Sequence, residues 1–235
     1  MPRGGIGLSA YRNHRNRIPQ APDARSPEWR RWPLYGRIAA ERALPNDSDL
    51  SPIDYLALER SAETKSEYLN GIVVSMAGAK CRQNLVSAEL LGRIGIAFEG
   101  RPCVVFGSDM KVRIEKANVF RYPDASALCG SIDFFDGAED AYSNPVFIAE
   151  VLSESTRHID RNEKFAGYSF LDSFTEYLLV ESDEIAAELH RKGEDGRWTC
   201  ESYSNPDDEL RLESIGVSLR LGNLYAKVEF PPAVS

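Results

Sequence analysis

The sequence has no apolar run approaching the roughly 18 residues that a membrane span needs. Its first residues also lack the compact apolar segment of a secretory signal. These absences predict no membrane anchoring and a cytoplasmic location. The four cysteines, Cys81, Cys103, Cys129 and Cys200, include no C-x-x-C pair. With no His/Cys cluster either, nothing local suggests a zinc or dithiol redox centre, and the thiols read as buried and reduced. No glycine-rich phosphate loop occurs, Ser153 sits on no nucleophile elbow, and no internal repeat is found. P-loop chemistry, serine-hydrolase chemistry and solenoid architectures are thereby set aside.

An overall positive charge is lacking too. The net charge of −8 over 235 residues argues against a protein that coats nucleic acid nonspecifically. The charge is uneven, however: residues 1–45 hold nine arginines against three acids, so the remainder is strongly acidic. Poor in apolar periodicity and rich in Arg, Pro and Gly, residues 1–46 predict a basic, disordered extension, with phosphate contact as its livelier reading. Residues 47–235 are long enough for one well-buried domain. An acidic body can still approach DNA where metal ions neutralise its carboxylates.

Order is expected to begin at Ser51-Pro52, with Ser51 as N-cap and Pro52 at the first helical position. A short helix follows to Glu59. The stretch from Glu67 to Met76 reads as a hairpin around Asn70-Gly71. Leu85, Val86, Leu90, Leu91, Ile94 and Phe98 recur at helical spacing over Gln83–Phe98. Strands are then expected at Cys103–Phe106, Met110–Ile114 and Phe120–Cys129. Val146–Leu152 is an apolar run of the kind that a doubly covered central strand shows, and Glu150 is its single acid. A helix capped by Ser155 or Thr156 should run to Leu171. Glu176–Val180, Glu184–Arg191, Trp198–Tyr203, Leu210–Leu212 and Val217–Leu219 read as further strands. This order predicts an α/β fold, a mixed sheet flanked by helices.

Asp124, Glu150 and Lys164 carry the chemical interest. Two carboxylates on adjacent strands can hold Mg²⁺, a hard cation that prefers oxygen. Such an ion polarises phosphate and acidifies bound water, while a nearby lysine orients that water or stabilises developing negative charge. Against this stand plainer readings: Glu150 neutralised in a buried ion pair with an arginine or with Lys164, Asp124 as a turn residue after Pro123, and Lys164 as a solvated partner of Asp160. His14 falls in the basic arm, His158 reads as a surface residue and His190 as structural.

The string Glu150-Val151-Leu152-Ser153-Glu154-Ser155-Thr156-Arg157, followed by Asp160-Arg161, Lys164, Tyr168 and Glu176-Tyr177, resembles the Uma-type endonucleases of the restriction-endonuclease-like PD-(D/E)XK superfamily. Tyr122-Pro123-Asp124 matches their PD element, and Glu67-Tyr68-Leu69-Asn70-Gly71 their early acidic hairpin. The resemblance runs from about Ser51 to Phe230. It implies a restriction-endonuclease-like fold and Mg²⁺-dependent cleavage of DNA, with Mn²⁺ as a substitute. Asp124 and Glu150 would be the metal ligands, Lys164 the displaced catalytic lysine, and Glu67 a supporting acid acting indirectly. Asp109 is a weaker candidate for the rim.

Two positions depart from the pattern. Leu152 stands where the superfamily usually places its lysine, and Gln83 where many relatives place histidine; glutamine cannot act as a base near neutral pH. The alternatives are a catalytically weak or inactive nuclease fold that binds nucleic acid or protein, and a phosphoesterase acting on a small substrate. Cleavage of both strands of a duplex is served by two-fold symmetry, so a homodimer is expected.

Overall fold

A computed structural model describes residues 50–154 and 156–231. The expected basic extension, residues 1–46, lies outside them. Helix α1 (Pro52–Glu59) opens the described chain, and the Ser51 hydroxyl accepts the Asp54 N–H at 3.2 Å. Strands β1 (Ser66–Leu69) and β2 (Ile72–Ser75) pair antiparallel around Asn70 (φ 51°) and Gly71 (φ 95°). Two successive positive φ values are what a type I′ hairpin turn demands. Helix α2 (Cys81–Ala97) follows and buries Val86, Leu90 and Ile94 along one face.

Next come β3 (Cys103–Gly107), β4 (Lys111–Ile114), β5 (Val119–Arg121), β6 (Ala125–Cys129), β7 (Ala141–Tyr142) and β8 (Phe147–Leu152). Helix α3 combines an α turn (Arg157–Ile159), a π turn (Asp160–Lys164) and a final α turn (Phe165–Tyr168). The chain continues through β9 (Glu176–Glu181), β10 (Ala187–Lys192), β11 (Trp198–Tyr203), β12 (Glu209–Leu212) and β13 (Val217–Arg220).

The strands form a five-stranded sheet in the order β2-β1-β5-β4-β7, a six-stranded sheet in the order β11-β10-β9-β8-β6-β3, and the pair β12-β13. Both large sheets are mixed: β4–β7 and β8–β9 are parallel, and the other pairs antiparallel. The expected α/β architecture is therefore present. Among the described residues no helix is long and apolar enough to cross a membrane.

Alternation along β8 decides what lies on each face of the six-stranded sheet. Phe147, Ala149 and Val151 pack with Val86, Leu90 and Ile94 of α2 and with Leu210, Leu212, Leu221 and Leu224. Ile148 and Leu152 face the other way, toward Phe165 and Tyr168 of α3 and toward Val112, Ile114 and Val119 of the five-stranded sheet. Glu150 shares this second face, so it points into the layer between α3 and the two sheets. All six residues of β8 are buried, as its apolar sequence requires.

Three expectations need correction. The single strand Phe120–Cys129 is two strands, β5 and β6, lying in different sheets. Pro123 has no N–H for a ladder and restricts the residue before it, so pairing stops across Tyr122-Pro123-Asp124. Helix α3 ends at Tyr168 instead of Leu171; Leu171 is buried in the turn after it, which prolongs the apolar pattern beyond the helix. Thr156 makes no side-chain cap and instead bonds to Ser153.

The cysteines also depart from the buried, reduced reading. The β3–β6 register sets Cys103 directly opposite Cys129, and the two form a disulfide. Cys81 is exposed and Cys200 half-buried. A pairing fixed by strand register across 26 residues leaves no trace in local spacing.

Candidate active site

In the β6–β8 ladder Ala125 stands opposite Ala149 and Ser126 opposite Ile148. Asp124 lies one residue before this ladder begins, and its carboxylate reaches the backbone of β8 next to Glu150. The Asp124 carboxylate is fixed by the Val151 N–H, which donates to Oδ2 at 2.7 Å. The two acids singled out in the sequence thus lie near enough for the field of one lysine, Lys164, to act on both.

Lys164 joins them from α3. Its Nζ lies 3.0 Å from Glu150 Oε2 and 2.9 Å from Asp160 Oδ1. Glu150 Oε1 accepts the Tyr168 hydroxyl at 2.9 Å, and the Tyr177 hydroxyl donates to the Asp160 carbonyl at 3.0 Å. Asp160, Lys164 and Tyr168 recur every four residues, so one helical face carries all three. The π turn spans the first two, a local widening often found at functional sites.

Burial sets the electrostatics. Glu150 is only 2% exposed. Desolvation pushes its carboxyl up to about 8, with Lys164 opposing and the charges of Asp160 and Asp124 adding to the rise. Asp124 is likewise raised by burial, against the pull of Lys164 and the Val151 N–H. Burial tends to discharge Lys164, but Asp160, Glu150 and Glu67 hold it well above its usual range. Three carboxylates therefore crowd one ammonium group. This excess of hard oxygen donors and negative charge fits a divalent cation such as Mg²⁺.

Glu67 lies in the same layer but is engaged elsewhere. It ion-pairs with Arg121, and the Tyr122 N–H approaches its Oε1 at 3.4 Å. Burial would raise this carboxyl; Arg121, Lys164 and the hydrogen bonds outweigh that and hold it low. Gln83 is doubly used: its Oε1 accepts the Lys80 N–H at 3.1 Å, and its Nε2 donates to the Val151 carbonyl at 3.3 Å. Leu152 is buried in the apolar layer, so the lysine of this centre comes from the helix. Asp109 is exposed and pairs with Lys65. His158 is exposed and bonds to Asn162.

Sequence reading missed several contributors. Asp160 reads as a surface residue, yet it is buried on Lys164. Tyr168, quoted only as part of the family string, orients Glu150. Lys65, in a featureless loop, exerts a field that favours ionised Asp124. The apolar pattern of α3 was the one available signal, since a helix packed on a sheet must aim one face at it. The conclusion that no His/Cys cluster exists is also corrected. Glu188 and His190 of β10 converge with Cys200 of β11, their ligand atoms all within 4.8 Å. Sheet pairing joins residues that local motif spacing keeps apart.

Comparison with known proteins agrees with this architecture. Residues 52–222 match the model of the Uma2 family, described as "Putative restriction endonuclease". An uncharacterised protein of Synechocystis, slr1290, is 32% identical over 181 residues, covering 77% of this chain and 94% of its own length. A second uncharacterised Synechocystis protein, sll1609, is 32% identical over 163 residues, covering 69% of this chain and 92% of its own. The crystal structure of a "putative nuclease belonging to DUF820" from Anabaena variabilis superposes with a TM-score of 0.60 at 18% identity, covering 74% of this chain and 96% of that one. That likeness speaks to the fold, which is of the nuclease type. With most of its described length matched, the chain belongs to the Uma2 family of restriction-endonuclease-like proteins.

Proposed function

We propose that this protein is a divalent-metal-dependent DNA endonuclease in which Asp124 and Glu150 hold Mg²⁺, with Mn²⁺ as a substitute. The observation that carries this reading is the gathering of Asp124, Glu150 and Asp160 around Lys164, whose single ammonium group cannot neutralise them all. When bound, the ion supplies Lewis-acid neutralisation of the scissile phosphate and a more acidic water.

The remaining work falls to the chain. Val151 N–H and Tyr168 OH fix the two ligand carboxylates before any ion arrives. Lys164 keeps its proton under the field of Asp160 and Glu150, so it is a ready donor to negative charge developing on phosphate oxygen. Asp160 holds that ammonium in place. Glu67, already neutralised by Arg121, acts by positioning β1 and β5 and by its field on Lys164. DNA is the substrate this reading assigns, and a homodimer would present two such centres to the two strands.

The test is nicking of supercoiled plasmid by the full chain in Mg²⁺ or Mn²⁺, with chelator as control. Activity that disappears in Asp124→Asn and Glu150→Gln, while circular dichroism stays native, is the expected result. A folded wild type that leaves DNA intact in both metals across salt and pH would point to a binding module. Hydrolysis confined to small phosphodiesters would reassign the substrate.

A further inference from the structure

We propose a second metal site, of different chemistry, formed by Glu188, His190 and Cys200 and suited to Zn²⁺ or a similarly thiophilic divalent ion. His190 stands directly opposite Cys200 in the β10–β11 register, and Glu188 lies two residues before His190 on the same strand. All three side chains therefore share one face of the sheet. Leu189 between them packs on the opposite side, in the core beneath α2, so this face is the one turned toward α3.

Two of the three spacings are close to a tetrahedron's edges, and the third is under 4.8 Å. Cys200 Sγ lies 3.7 Å from His190 Nε2, and Glu188 Oε2 lies 3.6 Å from the same nitrogen. Metal–ligand bonds of about 2.0–2.3 Å at tetrahedral angles put ligand atoms about 3.4–3.6 Å apart. Small adjustments would seat an ion among the three. Protein ligands then fill three positions, and the half-buried side of Cys200 leaves the fourth for water.

The surroundings support these ligands. Arg161 grips Glu188 through Nε (3.2 Å) and Nη2 (3.0 Å) and is itself balanced by Glu181 at 2.8 Å. Its Nε also lies 3.2 Å from Oε2, the oxygen nearest His190, so the one guanidinium orients both carboxylate oxygens. Phe165 packs against the imidazole, with ring centroids 5.1 Å apart. Its Nδ1 is buried with no hydrogen-bond partner, so the ring's polar contacts run through Nε2. On binding, the Cys200 S–H bond breaks, a sulfur–metal bond forms and the proton leaves to solvent. Thiolate and carboxylate then cancel the charge of the dication. Thiol and imidazole suit Zn²⁺, whereas the oxygen cluster of Asp124 and Glu150 suits Mg²⁺. The two sites do not compete, and this inference stands whether or not the chain cuts DNA.

Cobalt(II) titration of the metal-free full chain tests the site, in a Cys81→Ser background that removes the exposed thiol. A thiolate-to-cobalt band in the near ultraviolet with intense four-coordinate visible bands, both bleached by Zn²⁺, is expected. Cys200→Ser should abolish the near-ultraviolet band, Glu188→Gln should weaken binding, and Arg161→Lys should do so by about tenfold or more, as for groups that orient a ligand. Asp124→Asn and Glu150→Gln should leave the band unchanged. A folded protein with no thiolate band, a band that survives Cys200→Ser, or one lost in Asp124→Asn overturns the proposal. Native circular dichroism of the Cys200→Ser chain guards against loss by unfolding.

Discussion

Lys164 Nζ sits between Glu150 and Asp160, 3.0 Å from one carboxylate and 2.9 Å from the other, so a single ammonium group serves two buried acids. A divalent ion held by Glu150 would relieve this shortage of positive charge.

Replacing the lysine exposes the shortage. Lys164→Gln leaves Glu150 and Asp160 without their cation, and loss of one partner from a buried pair costs about 3–5 kcal/mol. The metal-free variant should melt well below wild type, and Mg²⁺ should raise its melting temperature more than it raises that of wild type. Nicking at saturating metal should fall by about 10²–10³-fold, the usual effect of removing a donor to developing charge. Calorimetry with and without Mg²⁺, beside single-turnover cleavage, checks both.

Tyr168→Phe removes only the hydroxyl that steadies Glu150 Oε1. Metal affinity should weaken by about 10–100-fold, as for other groups that orient a ligand, while affinity for DNA in Ca²⁺ stays unchanged. Isothermal titration with Mn²⁺ and a DNA-binding assay separate the two effects.

Glu67 is held low by Arg121 and Lys164 despite its burial. A depressed carboxyl contributes stability that is full above its unfolded pKa, near ~4.3, and lost as pH falls through the folded value. Glu67→Gln should therefore cost about 3 kcal/mol near neutrality, with the gap to wild type closing in acid. Urea melts from neutral to strongly acidic pH provide the measurement.

The Cys103–Cys129 bridge joins β3 to β6 on the side of the sheet away from the carboxylates. Cys103→Ser with Cys129→Ser should lower stability by about 2–4 kcal/mol through the freed unfolded chain, and metal-dependent nicking should persist at temperatures where the variant is folded. Chemical denaturation and plasmid assays test the two halves.

Much of the frame is legible in sequence because local rules govern it. Ser51-Pro52 starts a helix, Asn70-Gly71 turns a hairpin, and the apolar run around Glu150 is a covered central strand. Asp124 and Glu150 stand out because an acid in apolar company needs a partner, and Lys164 through family resemblance. What escaped depends on pairing between distant strands. The break at Pro123 reads as a continuing strand until its halves are seen in different sheets. Cys103 finds Cys129, and His190 finds Cys200, only through register. Asp160 reads as a surface charge because its spacing to Lys164 is that of an ordinary exposed i,i+4 pair, and the apolar pattern of α3 alone hints that the pair turns inward.

The handover at Tyr122-Pro123-Asp124 has a consequence for dissecting the molecule. One peptide stretch ends β5, the central strand of the first sheet, and delivers a carboxylate to the second, so the catalytic half cannot be trimmed free as a minimal fragment. Chains severed between Arg121 and Ala125 and mixed together would have to rebuild this joint from two loose ends, and Asp124 would sit on one of them.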